Sequence, residues 1–251
     1  MSLTCKAGFI FQYEYNQMGI IMAKKLYSTD AFEQQKLLLE ELSKPVIFDV
    51  GAYVGDVSKK YLSLFPDALI YAFEPFEDSY KKLKSNVKKI KNININNIAL
   101  SDRIGKAGFN VNEFSPTNSL LESSEKGQHY WGKDLLDTRK VVKVKTTTID
   151  EFSSKKAIPR IDILKLDTQG TEYMILEGAR TMLNNNAISL IYMEIILVET
   201  YKGQRLLPEI TDLLATSGYR LFGIYNPRIS KTYDLNQVDA IFIPYGVSIE
   251  E

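Results

Sequence analysis

The chain has 251 residues, 45% hydrophobic and 25% charged, which suits a globular fold with a core of ordinary size. Its 31 basic and 31 acidic side chains cancel, so no long-range field draws it to nucleic acid or to an anionic membrane. A single cysteine, Cys5, excludes an internal disulfide and a cysteine-based zinc site; with no signal-peptide pattern at the N-terminus, a reducing cytoplasm is expected.

Residues 9–42 carry apolar positions at helical spacing, with Tyr13, Tyr15 and Tyr27 among them. They predict one or two helices ahead of the main fold, with tyrosines that can pack on a second copy. Pro45 stops that pattern. Residues 46–50 form a short β-branched run ending at a glycine and read as a buried strand. A helix over 55–64, a strand over 69–73, a helix over 76–90 and an alternating strand over 93–100 follow. The lysines from Lys81 to Lys91 fall on the wet face of the second helix. This order predicts a parallel sheet covered by helices, with right-handed crossovers.

Residues 103–140 break the rhythm with Gly105, Gly108, Pro116, Gly127 and Gly132. They predict a short strand over 108–111 and then a long loop of the functional kind. A strand over 141–147 and a short helix over 148–152 come next. The alternation resumes with a strand over 161–166, a helix over 171–183, a strand over 189–196 and a helix over 206–216 ended by Gly218. The apolar run 187–198 is too short to span a bilayer and contains Glu194. Strands over 219–225 and 240–243 are separated by Asn226-Pro227-Arg228 and a further polar stretch, so an antiparallel pair closes the sheet. The organisation expected is a helical extension over residues 1–44 and one domain over 45–251.

The turn Asp49-Val50-Gly51-Ala52-Tyr53-Val54-Gly55 joins the first strand of this rhythm to its helix. Ligands in open α/β sheets bind at the carboxyl ends of strands, and glycines there let backbone approach a ligand. Glu74 ends the next strand, 23 residues after Gly51, where a carboxylate can accept from both hydroxyls of a ribose. Pro75 ends that strand, and Phe76 offers a flat surface for an adenine. A dinucleotide fingerprint needs a middle glycine for its pyrophosphate; Tyr53 stands there instead, and no P-loop follows. S-adenosylmethionine carries no phosphate and tolerates this looser pattern. The bland alternative is a plain strand-to-helix turn with a solvent-facing glutamate.

Three blocks then resemble the FkbM-type methyltransferases. They are residues 48–55 with Ala72-Phe73-Glu74-Pro75; Asn97-Ile98-Ala99-Leu100-Ser101-Asp102; and residues 163–172, Ile-Leu-Lys-Leu-Asp-Thr-Gln-Gly-Thr-Glu, leading to Leu176-Glu177-Gly178-Ala179. The resemblance covers about residues 46–243. It implies the class I methyltransferase (Rossmann-like) fold: a seven-stranded, mostly parallel sheet with its last strand antiparallel. It also implies S-adenosylmethionine as donor and a hydroxyl acceptor on a small molecule or glycan. Many relatives carry Glu where Gln169 stands. The N-terminal residues and the loop 112–140 lie outside the resemblance and are the regions that would choose the acceptor.

Methyl transfer to a hydroxyl needs alignment, water exclusion and a general base. Asp167 ends its strand beside the first turn and is the leading base, with the N-cap of the next helix as its structural alternative. Lys165 points to the same side; it either pairs with Asp167 or acts itself. Glu194 faces the acceptor from the next strand, and His129, the only histidine, is a further base candidate in the loop. Asp49, Gly51, Ala52, Tyr53, Gly55, Glu74, Pro75, Phe76, Ser101, Asp102, Asp167 and Gln169 are expected around the cofactor, with Ser101 and Asp102 at the adenine amino group. Glu172 either caps the helix or meets the methionine amine. Gln128-His129-Tyr130-Trp131, Asn118 and Ser119 are candidate lid residues. Asp167, Glu194 and Asp150 could surround a cation, but no spacing demands a metal and none is expected. An NAD-linked oxidoreductase and a cofactor-binding protein without chemistry are the competing readings. Nucleic-acid methylation is disfavoured by the neutral charge and the missing basic stripe.

Overall fold

The computed structural model describes residues 4–5, 9–15, 21–131, 133–229 and 234–246. Thr4–Cys5 (β1), Phe9–Tyr15 (β2) and Ile21–Ser28 (β3) form an antiparallel sheet. The helices expected across residues 9–28 are therefore corrected to strands. Gln12 and Glu14 alternate with Phe11, Tyr13 and Tyr15, a period of two in strand-favouring residues, and that outweighs the looser helical spacing. Helix begins only at Ala31–Leu38 (α1), where the Asp30 carboxylate accepts from the Phe32 and Glu33 N–H groups at 2.8 and 3.0 Å, a cap worth about 1 kcal/mol.

The α/β rhythm then runs as Val46–Val50 (β4), Asp56–Leu64 (α2), Leu69–Phe73 (β5), Glu77–Val87 (α3) and Ile93–Asn96 (β6). The strand expected over 93–100 splits here. Side-chain amides of Asn96 and Asn97 donate to the Ala72, Glu74 and Pro75 carbonyls, turning the chain out of the sheet. Ala99–Leu100 (β7) joins a second sheet with Gly105–Asn112 (β8) and, later, Thr138–Thr147 (β9), in the order β7-β9-β8. Between β8 and β9 lie a single 3₁₀ turn, Ser115–Thr117, and two short helices, Glu125–Trp131 (α4) and Lys133–Leu136 (α5). The expected loop is therefore folded, while its Gly132 lies outside the described residues. Ser124 Oγ donates to the Glu199 carbonyl at 2.9 Å and Trp131 Nε1 to Thr200 Oγ1 at 2.8 Å, anchoring this segment to the main domain.

Ile149–Lys156 (α6), Ile163–Leu166 (β10), Glu172–Glu177 (α7), Arg180–Asn184 (α8), Ile191–Ile196 (β11), Leu207–Thr216 (α9), Tyr219–Ile229 (β12) and Leu235–Pro244 (β13) complete the chain. One helix was expected over 171–183. It breaks at Gly178, where a Cβ would lie 2.1 Å from the Ser101 carbonyl oxygen. Asp150 then caps α8, accepting from Thr181 and Met182 N–H at 2.8 and 3.0 Å.

The main sheet has the order β12-β13-β11-β10-β4-β5-β6. Every pair from β11 to β6 is parallel, and β13 runs antiparallel to both β11 and β12. This is the expected class I methyltransferase architecture; the last link includes residues 230–233, outside the described part. Alternation assigns each strand residue to a face. Phe48, Leu164 and Met193 pack under α6 to α9, and Ile47, Ile163 and Tyr192 under α1 to α3. Each such side chain, fully buried, contributes about 1.5–3 kcal/mol. Lys81, Lys82 and Lys84 are exposed on α3, as its wet face requires. Among the described residues no helix is long and apolar enough to cross a membrane.

Candidate active site

The turn after β4 is left-handed at Gly51 (φ +76°), Tyr53 (φ +49°) and Gly55 (φ +91°). The sequence suggested glycines kept open for a ligand; here they are kept open for the protein. A Cβ on Gly51 would stand 1.9 Å from the Asp167 carbonyl oxygen, and one on Gly55 would stand 2.6 Å from Leu83 Cδ1. Gly51 thus lets the turn after β4 lie against the turn after β10, and Gly55 lets α2 close onto α3. Ala52 is buried, and its N–H donates to the Phe73 carbonyl at 3.0 Å.

Glu74 sits at the end of β5, 6% exposed. Tyr53 N–H donates to its Oε2 at 2.9 Å and Phe76 N–H to its Oε1 at 2.8 Å. One backbone donor therefore holds each oxygen, and each keeps further acceptor capacity. Burial pushes this carboxyl up to about 7, against the pull of those two N–H groups. Glu74 lines an open cleft at the carboxyl ends of the strands, where ligands of open α/β sheets bind. Gly51, Tyr53, Pro75, Asp167 and Gln169 share its wall. Leu100, Phe109, Leu120 and the Ser115-Pro116 turn complete it.

Behind this cleft, Lys165 is buried and pairs with Asp49 Oδ1 at 3.0 Å. Its ammonium also donates to the Val50 and Gly51 carbonyls at 3.2 and 3.1 Å and lies 3.8 Å from Asp167 Oδ2. Burial works to lower the Lys165 pKa, but Asp49 and then Asp167 hold it above the ordinary value, so Lys165 stays charged. Of its two expected roles, pairing is the one it adopts, chiefly with Asp49. Ser58 Oγ donates to the other Asp49 oxygen at 2.6 Å. Asp49 is fully buried and does not line the cleft.

Asp167 is 39% exposed at its side chain and does not cap α7. Glu172, the first residue of α7, ties down the turn before the helix, accepting from Thr168 N–H at 2.8 Å and Thr168 Oγ1 at 2.9 Å, while the N-cap Thr171 makes no side-chain cap; burial raises the Glu172 pKa. Gln169, left-handed at φ +59°, bridges two strands. Its Nε2 donates to Glu194 Oε2 at 2.7 Å and reaches Asp167 Oδ1 at 3.3 Å, while its Oε1 accepts from Tyr201 OH at 3.0 Å. Gln237 Nε2 donates to the other Glu194 oxygen. Burial first, then the Asp167, Glu172 and Asp239 carboxylates, push the Glu194 carboxyl well above its ordinary range.

A second cleft opens on the far side of Asp167, lined also by Phe32, Lys165, Tyr192, Glu194, Asn226, Arg228, Gln237 and Asp239. Asp167 is thus common to both clefts, and Asp167, Lys165 and Glu194 are brought together as expected.

Other expected residues are not. Ser101 and Asp102 turn away with β7: Ser101 Oγ donates to Asp102, whose carboxylate Arg103 grips through Nε and Nη2 at 3.0 and 2.7 Å. They line a separate open groove, and Leu100 rather than these two reaches the cleft. Phe76 packs behind the wall, its ring 6.2 Å from that of Phe109, so Phe109 presents the flat surface. No period in the sequence marks Phe109, because β8 is buried continuously from Phe109 to Asn112. His129 is exposed on α4, lines neither cleft, and contacts the Tyr130 ring edge-to-face at 5.8 Å. Asn118 lines the first cleft, while Ser119 is buried and donates to the Gln169 carbonyl at 2.7 Å. Asp150 is committed to α8, and among the described residues no three His, Cys, Asp or Glu side chains gather to hold a metal ion.

A family model described as the methyltransferase FkbM domain matches residues 49–221. The chain is 28% identical over 200 residues to the 2-O-methyltransferase NoeI of Sinorhizobium fredii, covering 76% of this chain and 79% of that one. It is 28% identical over 198 residues to the methyltransferase sdnD of Sordaria araneosa, covering 70% and 74%. Among solved structures it is similar to precorrin-6y C5,15-methyltransferase from Geobacter metallireducens, at 16% identity over 92% of this chain and 98% of that one, with a TM-score of 0.45. Methanococcus jannaschii fibrillarin overlaps at 10% identity over 95% and 90%, with a TM-score of 0.47. Overlaps this loose carry no argument; the strand order itself carries the fold.

Proposed function

The chain belongs to the FkbM family of S-adenosylmethionine-dependent methyltransferases, and we propose that it methylates a hydroxyl oxygen of a small molecule or glycan, with Asp167 as the general base. The observation that carries the reading is Asp167 itself, a carboxylate common to two clefts. A base must reach the acceptor proton while the acceptor oxygen faces the donor. The name of the relative at 28% identity, a 2-O-methyltransferase, supports oxygen over nitrogen.

The residues of the first cleft fit an adenosyl group. Glu74 would accept from both ribose hydroxyls, and Phe109 and Leu100 would flank the base. Tyr53 in place of a middle glycine argues against a pyrophosphate and hence against NAD. When bound, S-adenosylmethionine supplies an electrophilic methyl carbon on a sulfonium. Asp167 accepts the hydroxyl proton of the acceptor as the oxygen attacks. Lys165, held on Asp49, keeps its charge and orients the Asp167 carboxylate. Gln169 fixes the same carboxylate from the other side. The 3₁₀ turn at Ser115–Thr117 and Leu120 shield the cleft from water. The cytoplasm, with its reduced thiols and its supply of donor, is the compartment that suits this reading.

The test is methyl transfer from isotopically labelled S-adenosylmethionine to a panel of methyl glycosides and simple alcohols. The label is expected in an O-methyl product, and Asp167→Asn is expected to slow its formation by about 10²–10⁴-fold. S-adenosylhomocysteine affinity should stay within threefold. Unchanged turnover in Asp167→Asn would remove the base, and an N-methyl product would remove the hydroxyl acceptor.

A further inference from the structure

We infer that the second cleft is the acceptor site and that it takes a neutral polyhydroxylated ring, a glycoside, held through neighbouring hydroxyls by Glu194, Asp239 and Asn226. The inference rests on the O-methyltransferase reading above and adds to it the place and the class of the acceptor. The cleft is a cavity of about 660 Å³, its mouth included, walled by residues of α1, α2, β10, β11, β12 and β13. It touches the donor cleft through Asp167, the one place where methyl and base can meet an acceptor.

Its chemistry selects the ligand. Glu194 and Asp239 lie directly opposite each other on β11 and β13, where like charges would repel unless one is neutral or a ligand donates to both. Asp239 Oδ2 already accepts from Tyr192 OH and Asn226 Nδ2, each at 2.7 Å. Among the described residues, its Oδ1 and the outer lone pairs of Glu194 remain as acceptors. Acceptors therefore exceed donors on this wall, and a ligand rich in O–H groups supplies what is short. Beside these carboxylates Phe32 and Tyr192 meet edge-to-face at 5.4 Å, an aromatic surface for the apolar C–H face of a sugar ring. Charge argues for a neutral ligand. Lys165 is committed to Asp49, and Arg228 is left facing Asp167, Asp239 and Glu194, so a phosphorylated acceptor meets net repulsion. The raised pKa of Glu194 fits this crowding, since a protonated carboxyl contributes one more donor.

The test uses the full chain saturated with S-adenosylhomocysteine. Saturation-transfer NMR is recorded on the methyl glycosides of glucose, galactose, mannose and fucose at millimolar concentration. Ring-proton signals are expected from at least one glycoside, to fall at least fivefold in Glu194→Gln and in Asp239→Asn. Calorimetric affinity for S-adenosylhomocysteine should stay within twofold in both, which also shows that the variants fold. No signal from any glycoside, or signals unchanged in both variants, would overturn the inference while leaving the methyltransferase reading in place. Failure of the wild-type chain to bind S-adenosylhomocysteine would instead overturn the reading beneath it.

Discussion

The two clefts that meet at Asp167 are built differently. The first is made by backbone: left-handed turns at Gly51 and Tyr53, and two main-chain N–H groups that aim Glu74. The second is made by side chains that hold one another: Gln169 and Gln237 on Glu194, Tyr192 and Asn226 on Asp239. A backbone-built site is rigid and specified by a local stretch of sequence. A site of mutually bonded side chains is specified by positions far apart, and single substitutions can retune it.

The largest effect should come from the buried cation behind the first cleft. Lys165→Met leaves Asp49 buried without its cation, and breaking such a pair costs about 3–5 kcal/mol. Urea unfolding should show that loss; an unchanged midpoint would mean that the pair does not hold the turns after β4 and β10 together. Next in size is the pH response of the first cleft alone. Ribose hydroxyls donate to the anion of Glu74, and burial has raised that carboxyl to about 7. Binding must then strengthen as pH rises toward 7 and level off above it, by roughly tenfold per pH unit well below 7. Calorimetry with S-adenosylhomocysteine from pH 5.5 to 8 tests this. A flat profile in the wild-type chain would show that the ligand does not use Glu74. The smallest effect is expected outside both clefts. His129→Gln should change the methyl-transfer rate less than twofold, and a tenfold drop would bring α4 into the chemistry.

What was legible follows the same division. The turn at 49–55, Glu74 and the strand order could be read because each is encoded in a contiguous stretch with a fixed period or spacing. The role of Gly51 could not, because its reason is the Asp167 carbonyl, 116 residues away. The pairing of Lys165 with Asp49 was hidden likewise: the two are neighbours only through the β10–β4 register. Ser101 and Asp102 were misplaced because two asparagine side chains end β6 early and send the chain into another sheet. At the N-terminus, apolar residues fit a helical and a strand period at once, and the aromatic alternation of β2 decided for the strand. Of the second cleft only Asp167, Lys165 and Glu194 were anticipated. Asn226, Gln237 and Asp239 lie on β12 and β13 just beyond the strand ends read from the sequence, in the stretch whose polar residues read as a link.

The central claim is that the cleft between Gly51 and Glu74 holds an adenosyl donor and not a dinucleotide. Titrating S-adenosylhomocysteine and NAD separately into the wild-type chain and into Glu74→Gln at pH 8 tests it most directly. The account predicts saturable binding of S-adenosylhomocysteine, at least tenfold weaker in the variant, since a hydrogen bond to a charged group is worth about 1.5–3 kcal/mol, and no comparable binding of NAD. Tighter binding of NAD, or equal S-adenosylhomocysteine affinity in the two proteins, would contradict it.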